Sequence, residues 1–253
     1  MSNLIVPHWS VPVPGIGALS TTRCGGVSAA PYDDGAGGAG LNLGLHVGDD
    51  PARVAENRAR LQVALPAPPV WLSQVHGAAV VDAAAVTGVP EADASFTVQP
   101  GVVCAVQTAD CLPVLFCDRA GGVVAAAHAG WRGLAHGVLQ NTVERMRQAG
   151  AGEILAWLGP AIGPERFEIG PEVRAAFVQG NADADAAFAP RANGKYVADI
   201  YQLARLALAA CGVRLVSGGD FCTVSDARRF YSYRRDGRTG RMASLIWIPR
   251  PLS

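Results

Sequence analysis

Two histidines and one cysteine are the residues of this chain best suited to bind a metal ion. His76 lies in SQVHGAAV, Cys111 in TADCLPV and His128 in AAAHAGWRG, each where a strand-like run gives way to Gly, Ala or Pro. Two imidazoles and one thiolate are a sufficient protein set for a catalytic zinc, which keeps its fourth position open. Their spacing matches no short metal motif, so the zinc prediction depends on strand ends that bring the three residues to one sheet edge.

The same residues also allow a mechanism without metal. Cys111 would be the nucleophile and His128 its general base. The neighbouring Asp110 would then orient the imidazole or take a proton itself. The alternative for Asp110 is a turn residue before Pro113, because short carboxylates bond to their own backbone in turns.

Several arginines lie in settings that suit an anion. Arg23 in TTRCGG stands beside glycines, which allow close backbone approach. Arg132 follows His128 in HAGWRGL, at an expected helix start where anions are favoured. The segment 231–241, YSYRRDGRTGR, carries four more around Asp236-Gly237, a dipeptide typical of hairpins: Arg234, Arg235, Arg238 and Arg241. The alternative is a solvated basic turn.

Composition narrows the functional classes. The chain has 253 residues, 50% of them hydrophobic and 17% charged, with a formal net charge of zero. This balance gives no overall field for nucleic acid or an anionic membrane. The N-terminus lacks a signal-peptide pattern, no run reaches the roughly 18 apolar residues of a membrane span, and the six cysteines include no CxxC pair. We expect a cytoplasmic protein with reduced cysteines that acts on small molecules.

The surrounding pattern predicts mixed sheets covered by helices. Short strand-like runs follow one another over 70–129 with few intervening residues, which favours antiparallel pairing. Residues 21–50 are Gly-rich and predict a long loop, of the kind that is usually functional or mobile. Helices are predicted from Asp50-Pro51 and over 136–149, 171–179 and 199–211. A single domain, residues 1–253, is favoured because no composition break is visible.

Seven segments together resemble a known family. They are STTRCGGVS, LNLGLHVGDDPARVAENRARL, SQVHG, TADCLPVLF, AAAHAGWRGL, LGPAIGPERFEIG and FYSYRRDGRTGRMASLIWI, in the expected order from about residue 20 to 248. They are similar to the YfiH-like family, also called laccase-domain or polyphenol-oxidase-type proteins. The resemblance implies an α+β class fold: a single-domain, four-layer α/β/β/α sandwich with mixed sheets. The Gly-rich YDDGAGGAG departs from the family pattern and looks like an insertion before LNLG.

The resemblance also implies a chemistry. It implies zinc bound by His76, Cys111 and His128, with phosphorolysis of adenosine, inosine or methylthioadenosine and deamination of adenosine. A separate family role is peptidoglycan editing, in which an amidase removes a wrong amino acid from a nucleotide-linked muropeptide precursor. We therefore expect Asp110 as a proton shuttle and the remaining candidates as contacts to substrate or phosphate: Arg23, Asn42, His46, Arg132 and Arg235.

The word laccase conflicts with the histidine count. A three-copper cluster alone takes on the order of eight imidazoles, and the chain has five histidines in total. We reject a multicopper oxidase, although the His/His/Cys set would also accept an adventitious Cu²⁺ ion. The remaining alternatives are the zinc amidase, the metal-free cysteine hydrolase and a binding protein without catalysis. We expect a monomer with purine nucleosides and phosphate as its ligands.

Overall fold

The computed structural model describes residues 4–13 and 15–250. Within these residues the strands, in chain order, are β1 Leu4–Ile5, β2 Gly17–Thr21, β3 Cys24–Ser28, β4 Pro69–Val70, β5 Val80–Asp82, β6 Ala94–Thr97, β7 Val103–Thr108, β8 Leu112–Asp118, β9 Val124–Ala129, β10 Ile154–Leu158, β11 Glu168–Ile169, β12 Phe188–Pro190, β13 Tyr196–Ala198, β14 Leu215–Gly218 and β15 Met242–Trp247. The α-helices are α1 Pro51–Gln62, α2 Trp131–Ala135, α3 Val138–Gln148, α4 Pro171–Val178, α5 Ile200–Ala210 and α6 Tyr233–Asp236. None of the helices in this part of the chain is both long and apolar enough to cross a bilayer.

Two large sheets form the centre of the molecule. The first has the strand order β1-β2-β15-β7-β4 and the second β14-β10-β8-β9-β6-β5, while a small third sheet has the order β11-β13-β12. Most neighbours are antiparallel, but β4/β7, β5/β6 and β10/β14 are parallel. The prediction of mixed, mainly antiparallel sheets is therefore confirmed.

Successive side chains of the central strands point to opposite faces of the sheet, and this alternation produces the layers. In β8, Leu112, Val114 and Phe116 pack with the helices, while Leu115 and Cys117 face the first sheet. This is the two-residue period of a strand that is buried on both faces. The outer face of the first sheet packs against α1, and that of the second sheet against α3 and α5. The order helix, sheet, sheet, helix is the predicted α/β/β/α arrangement.

Local boundaries differ from the predictions in four places. The helix predicted over 136–149 is α3, which begins at Val138 because its N-cap Gly137 has a φ of 88°, and the short helix α2 before it was not predicted. The Asp236-Gly237 hairpin is wrong, because Gly237 (φ 67°) ends the short helix α6. The loop 21–50 contains β3 and a single 3-10 turn, Leu45–Val47. Of the strand-like run 70–75, only the first residue belongs to a strand.

Candidate metal centre

His76, Cys111 and His128 lie together, with one ligand atom of each within 4.8 Å of the others. The Cys111 Sγ atom is 3.7 Å from the His76 Nε2 atom, and the two imidazole rings meet edge to face at 4.8 Å. Tetrahedral zinc bonds of about 2.3 Å to sulfur and 2.0–2.1 Å to nitrogen place those two atoms about 3.6 Å apart. The donor set, and the spacing of this Cys–His pair, therefore fit a zinc ion.

The sheet positions two of these residues, and a loop supplies the third. Cys111 directly precedes β8, and His128 lies near the end of β9, opposite Pro113 in the antiparallel register. The start of one strand and the end of its neighbour thus share one sheet edge. His76 reaches this edge from the segment between β4 and β5, with a φ of 60° that is unusual for a residue with a side chain.

A fourth residue, Asp93, holds the two histidines in place and was missed in the sequence. Its carboxylate is fully buried and its Oδ1 atom accepts from Nδ1 of His128 at 2.8 Å and from the backbone N–H of His76 at 2.9 Å. Oδ2 accepts from the N–H groups of Gly77 and Val75. With Nδ1–H donating to Asp93, the Nε2 lone pair of His128 is left for a metal.

The charges of this group reinforce one another. Burial disfavours the Asp93 carboxylate, but hydrogen bonds from His128, Gly77 and Val75 lower its pKa. Burial likewise disfavours the Cys111 thiolate, but the charge of His128 and hydrogen bonds from both histidines lower its pKa to about 6. Burial opposes the His128 cation, yet Cys111 and Asp93 raise its pKa to about 9. Without metal, these opposite shifts favour the thiolate–imidazolium form of the pair.

A cavity of about 650 Å³ opens beside the three candidate ligands. Its apolar wall includes Leu45, Trp71, Leu72, Val89 and Tyr233, and its polar wall includes Gln74, Gln107 and Thr108. Cationic groups come from Arg58 and Arg241, His46 adds an imidazole, and no Asp or Glu is among the described residues that line it. The volume and the mixed lining are typical of a small-molecule site.

Comparison with known proteins decides the family. Residues 17–249 match the family described as "Multi-copper polyphenol oxidoreductase laccase". The chain belongs to this laccase-domain family. A Pseudomonas aeruginosa relative named purine nucleoside phosphorylase is 57% identical over 249 residues, which is 98% of this chain and 99% of the relative. Purine nucleoside phosphorylase YfiH of Escherichia coli K12 is also 57% identical, over 98% of this chain and all of the relative.

Solved structures of the laccase-domain family share the fold. A Neisseria meningitidis protein superposes with a TM-score of 0.90 at 50% identity, over 98% of this chain and 100% of that one. YlmD from Geobacillus stearothermophilus gives 0.85 at 34% identity, over 94% of each chain. The resemblance read from the sequence motifs is confirmed.

Two arginines of this laccase-domain chain that were predicted to bind an anion donate hydrogen bonds to the chain itself. Arg23 is buried and donates to Ala227 O, to Asp33 O and to the carboxylate of Asp33. Arg235 donates to three carbonyl oxygens and to the Asp236 carboxylate. Neither lines the cavity. Their guanidinium groups fasten chain segments that are distant in sequence, which no local motif reveals.

Other predicted contacts are divided between the cavity and the scaffold. His46 lines the cavity. The exposed Arg132 lies outside it, with its guanidinium 4.5 Å from the ring of Trp131. Asn42 is fully buried and its side chain binds the backbone of Gly44 and Arg241 and the carboxylate of Asp49. The structure thus places His46 in the same cavity lining as the candidate metal ligands and Asn42 in the scaffold.

Asp110 is adjacent to Cys111 in sequence, but its carboxylate belongs to a different contact. Its oxygens accept from the Thr223 hydroxyl and from the Arg234 backbone N–H, each at 2.6 Å. Asp110 has a φ of 93°, and it does not line the cavity. The turn interpretation explains this geometry, and the proton-shuttle interpretation finds no support in it.

Proposed function

We propose that this protein is a zinc-dependent purine nucleoside phosphorylase that accepts adenosine, inosine or methylthioadenosine and also deaminates adenosine. The observation that carries the proposal is the convergence of His76, Cys111 and His128 beside a nucleoside-sized cavity. The names of the relatives support the substrate class, since two of them at 57% identity are called purine nucleoside phosphorylases.

The bound metal would supply a Lewis acid and a water molecule of lowered pKa. The chain's own part is to hold the three donors at fixed geometry, with Asp93 locking the His128 tautomer. The apolar wall around Trp71 and Leu72 removes water from the base. Cationic side chains must also hold phosphate near the ribose anomeric carbon, because placement of this anion is the main electrostatic task.

The test uses protein purified without a histidine tag. Zinc per chain is measured, and hypoxanthine release from inosine is followed with and without phosphate. We expect about one zinc per chain and phosphate-dependent release, both lost in Cys111→Ala. Cys211→Ala is the matched control, because Cys211 lies at the end of α5 and does not line the cavity. Ammonia release from adenosine measures the deaminase activity separately.

Two rival enzymes give different results in the same experiment. A thiol hydrolase, favoured by the low pKa of Cys111 and by the Asp93–His128 hydrogen bond, would stay fully active without metal and be abolished by alkylation of Cys111. A muropeptide amidase would bind zinc, leave inosine intact and release an amino acid from the nucleotide-linked precursor. Monomeric state and cytoplasmic location stay predictions.

A further inference from the structure

The cationic lining of the cavity comes from residues that are distant in sequence. Arg58 lies on α1, while Arg241 directly precedes β15. Both lie against the segment 42–46, which runs between them. Arg58 donates from Nε and Nη2 to the Leu43 carbonyl oxygen, and the Arg241 carbonyl oxygen accepts from the Leu43 N–H. One short segment therefore fixes both arginines at the same cavity.

The Nε and Nη2 atoms of the Arg58 guanidinium are hydrogen-bonded, and its Nη1 donors are free among the described residues. Its guanidinium carbon lies 4.3 Å from the ring of Trp71, another cavity residue. Within the described part of the chain, its Nη1 atom has no hydrogen bond and its side chain no ion pair. A guanidinium that is stacked and held on one edge is preorganised to bind an anion with the other.

Arg241 has the same character. Its Nη1 atom donates to the carbonyl oxygens of Thr239 and Gly240, while Nε and Nη2 have no partner among residues 4–13 and 15–250. Its stem is confined, because a Cβ atom on Gly44 would lie 2.8 Å from Arg241 Cγ. The free donors therefore have little choice of position.

No carboxylate is found among the described residues that line the cavity beside these two cations. The anionic groups that act on Arg241 include Cys111, itself a candidate metal ligand, and Asp110, which lies outside the lining. His46 lies in the same wall, and its pKa is lowered first by burial and then by the positive charges of Arg241 and Arg58. Two guanidinium groups that form no salt bridge with any described residue, in a half-buried pocket, favour an anionic ligand.

We propose that Arg58 and Arg241 form the subsite that binds a tetrahedral phosphate group beside the candidate metal ligands. The assignment rests on the proposed function, in which this group is the hydrogen phosphate that attacks the ribose. A phosphate oxygen bonds to the anomeric carbon as the glycosidic C–N bond breaks. The electron pair of that bond goes to the purine nitrogen, which gains the proton that hydrogen phosphate loses. The products are ribose 1-phosphate and the free base.

The same chemistry would also hold a phosphoryl group that is part of a nucleotide substrate. Equilibrium binding of inorganic phosphate and of AMP to the zinc-loaded protein separates the two sources. We expect inorganic phosphate to bind. Arg58→Gln or Arg241→Gln should raise the Kd for phosphate at least about tenfold. The affinity for AMP is compared with that for phosphate in the presence of adenosine. If AMP binds more tightly, and the two glutamine variants weaken AMP binding to the same extent, the subsite belongs to a nucleotide. Binding of neither ligand to the wild type would overturn the proposal.

Kinetics give an independent readout. The two variants should raise the KM for phosphate at least about tenfold while the KM for inosine and the zinc content stay near wild type. Arg60→Gln is the matched control, because this arginine lies on the same helix, is exposed and pairs with Glu56. Arg58→Lys, which keeps a charge but lacks the fork, should bind phosphate with intermediate affinity.

The outcomes for the subsite and for the function are distinguishable. Arginine-dependent phosphate binding without hypoxanthine release would remove the proposed function and keep the subsite. Phosphate-dependent release with an unchanged phosphate KM in both glutamine variants would keep the function and overturn the subsite. Melting temperatures identify a variant that has lost its fold, and Arg241→Gln retains the backbone bonds of residue 241 to Asn42 and Leu43.

Discussion

The carboxylate of Asp93 and the imidazole of His128 are joined by a buried hydrogen bond of 2.8 Å. The same carboxylate oxygen accepts the backbone N–H of His76. One side chain therefore fixes the tautomer of one candidate ligand and the position of another. Partners of this kind raise the basicity of metal-bound histidines and prevent the ring from turning.

Asp93→Asn should weaken zinc affinity by about 10–100-fold. The two carboxylate oxygens of Asp93 accept hydrogen bonds from four donors. The asparagine amide keeps only one acceptor oxygen, so some of these donors lose their partner. Competition with a zinc chelator measures this without any assay of turnover. Asp118→Asn is the matched control, since Asp118 is also a buried aspartate that accepts from a backbone N–H, that of Gly152. Equal zinc affinity in both variants would contradict the role given to Asp93.

Gly130→Ala should disturb the metal centre without a change in any ligand. A Cβ atom there would lie 2.8 Å from His76 Cδ2 and 3.0 Å from Cys111 Sγ, so the ligands must move apart. Displacement of about 1 Å costs on the order of 100-fold in rate. Gly180→Ala, which would meet no atom within 4 Å, should leave zinc binding and activity unchanged. Wild-type zinc affinity in Gly130→Ala would show that the ligands do not lie as described.

The pH dependence of Cys111 labelling tests the electrostatics of the metal-free site. Burial alone would raise the thiol pKa, but His128 and His76 lower it to about 6. Labelling by iodoacetamide should therefore rise through pH 6 and level off above it, and zinc should protect the thiol. Burial raises the pKa of Cys104 and Cys117 to about 12, so both should stay unlabelled. A labelling midpoint near pH 8.5, the usual value for a free thiol, would contradict the pairing.

Asp110→Ala distinguishes a structural role of Asp110 from a catalytic one. Its removal leaves the buried Thr223 hydroxyl and the Arg234 N–H without their acceptor, at a cost of about 1–3 kcal/mol in the free energy of unfolding. Chemical denaturation measures this loss. Zinc affinity and kcat of the folded variant should stay near wild type. Full stability with a large loss of kcat would restore Asp110 as a proton carrier.

The sequence revealed the residues that carry unusual chemistry in apolar surroundings. His76, Cys111 and His128 were visible because a thiol and imidazoles are out of place at strand ends unless they have a task. The α/β/β/α layers followed from the resemblance, and the mixed, antiparallel pairing followed from the short distances between strands.

Residues whose role depends on distant partners were not visible. Asp93 lies in EADASF, where a carboxylate before a strand is typical of a turn, and its partners lie up to 35 residues away. In the sequence, Arg58 is typical of the solvent-exposed face of a helix. Only the fold shows that its guanidinium contacts Trp71 and Leu43. Neighbouring glycines and arginines made Arg23 and Arg235 candidates for anion binding. The carbonyl groups that they bind are brought to them only by tertiary packing.

X-ray absorption at the zinc edge is the most direct test of the central claim. The account predicts one zinc per chain with one sulfur neighbour at about 2.3 Å and two imidazole nitrogens at about 2.0–2.1 Å. The sulfur neighbour should disappear in Cys111→Ala and persist in Cys211→Ala. A zinc environment without sulfur in the wild-type protein, or one unchanged by Cys111→Ala, would contradict a metal centre built from His76, Cys111 and His128.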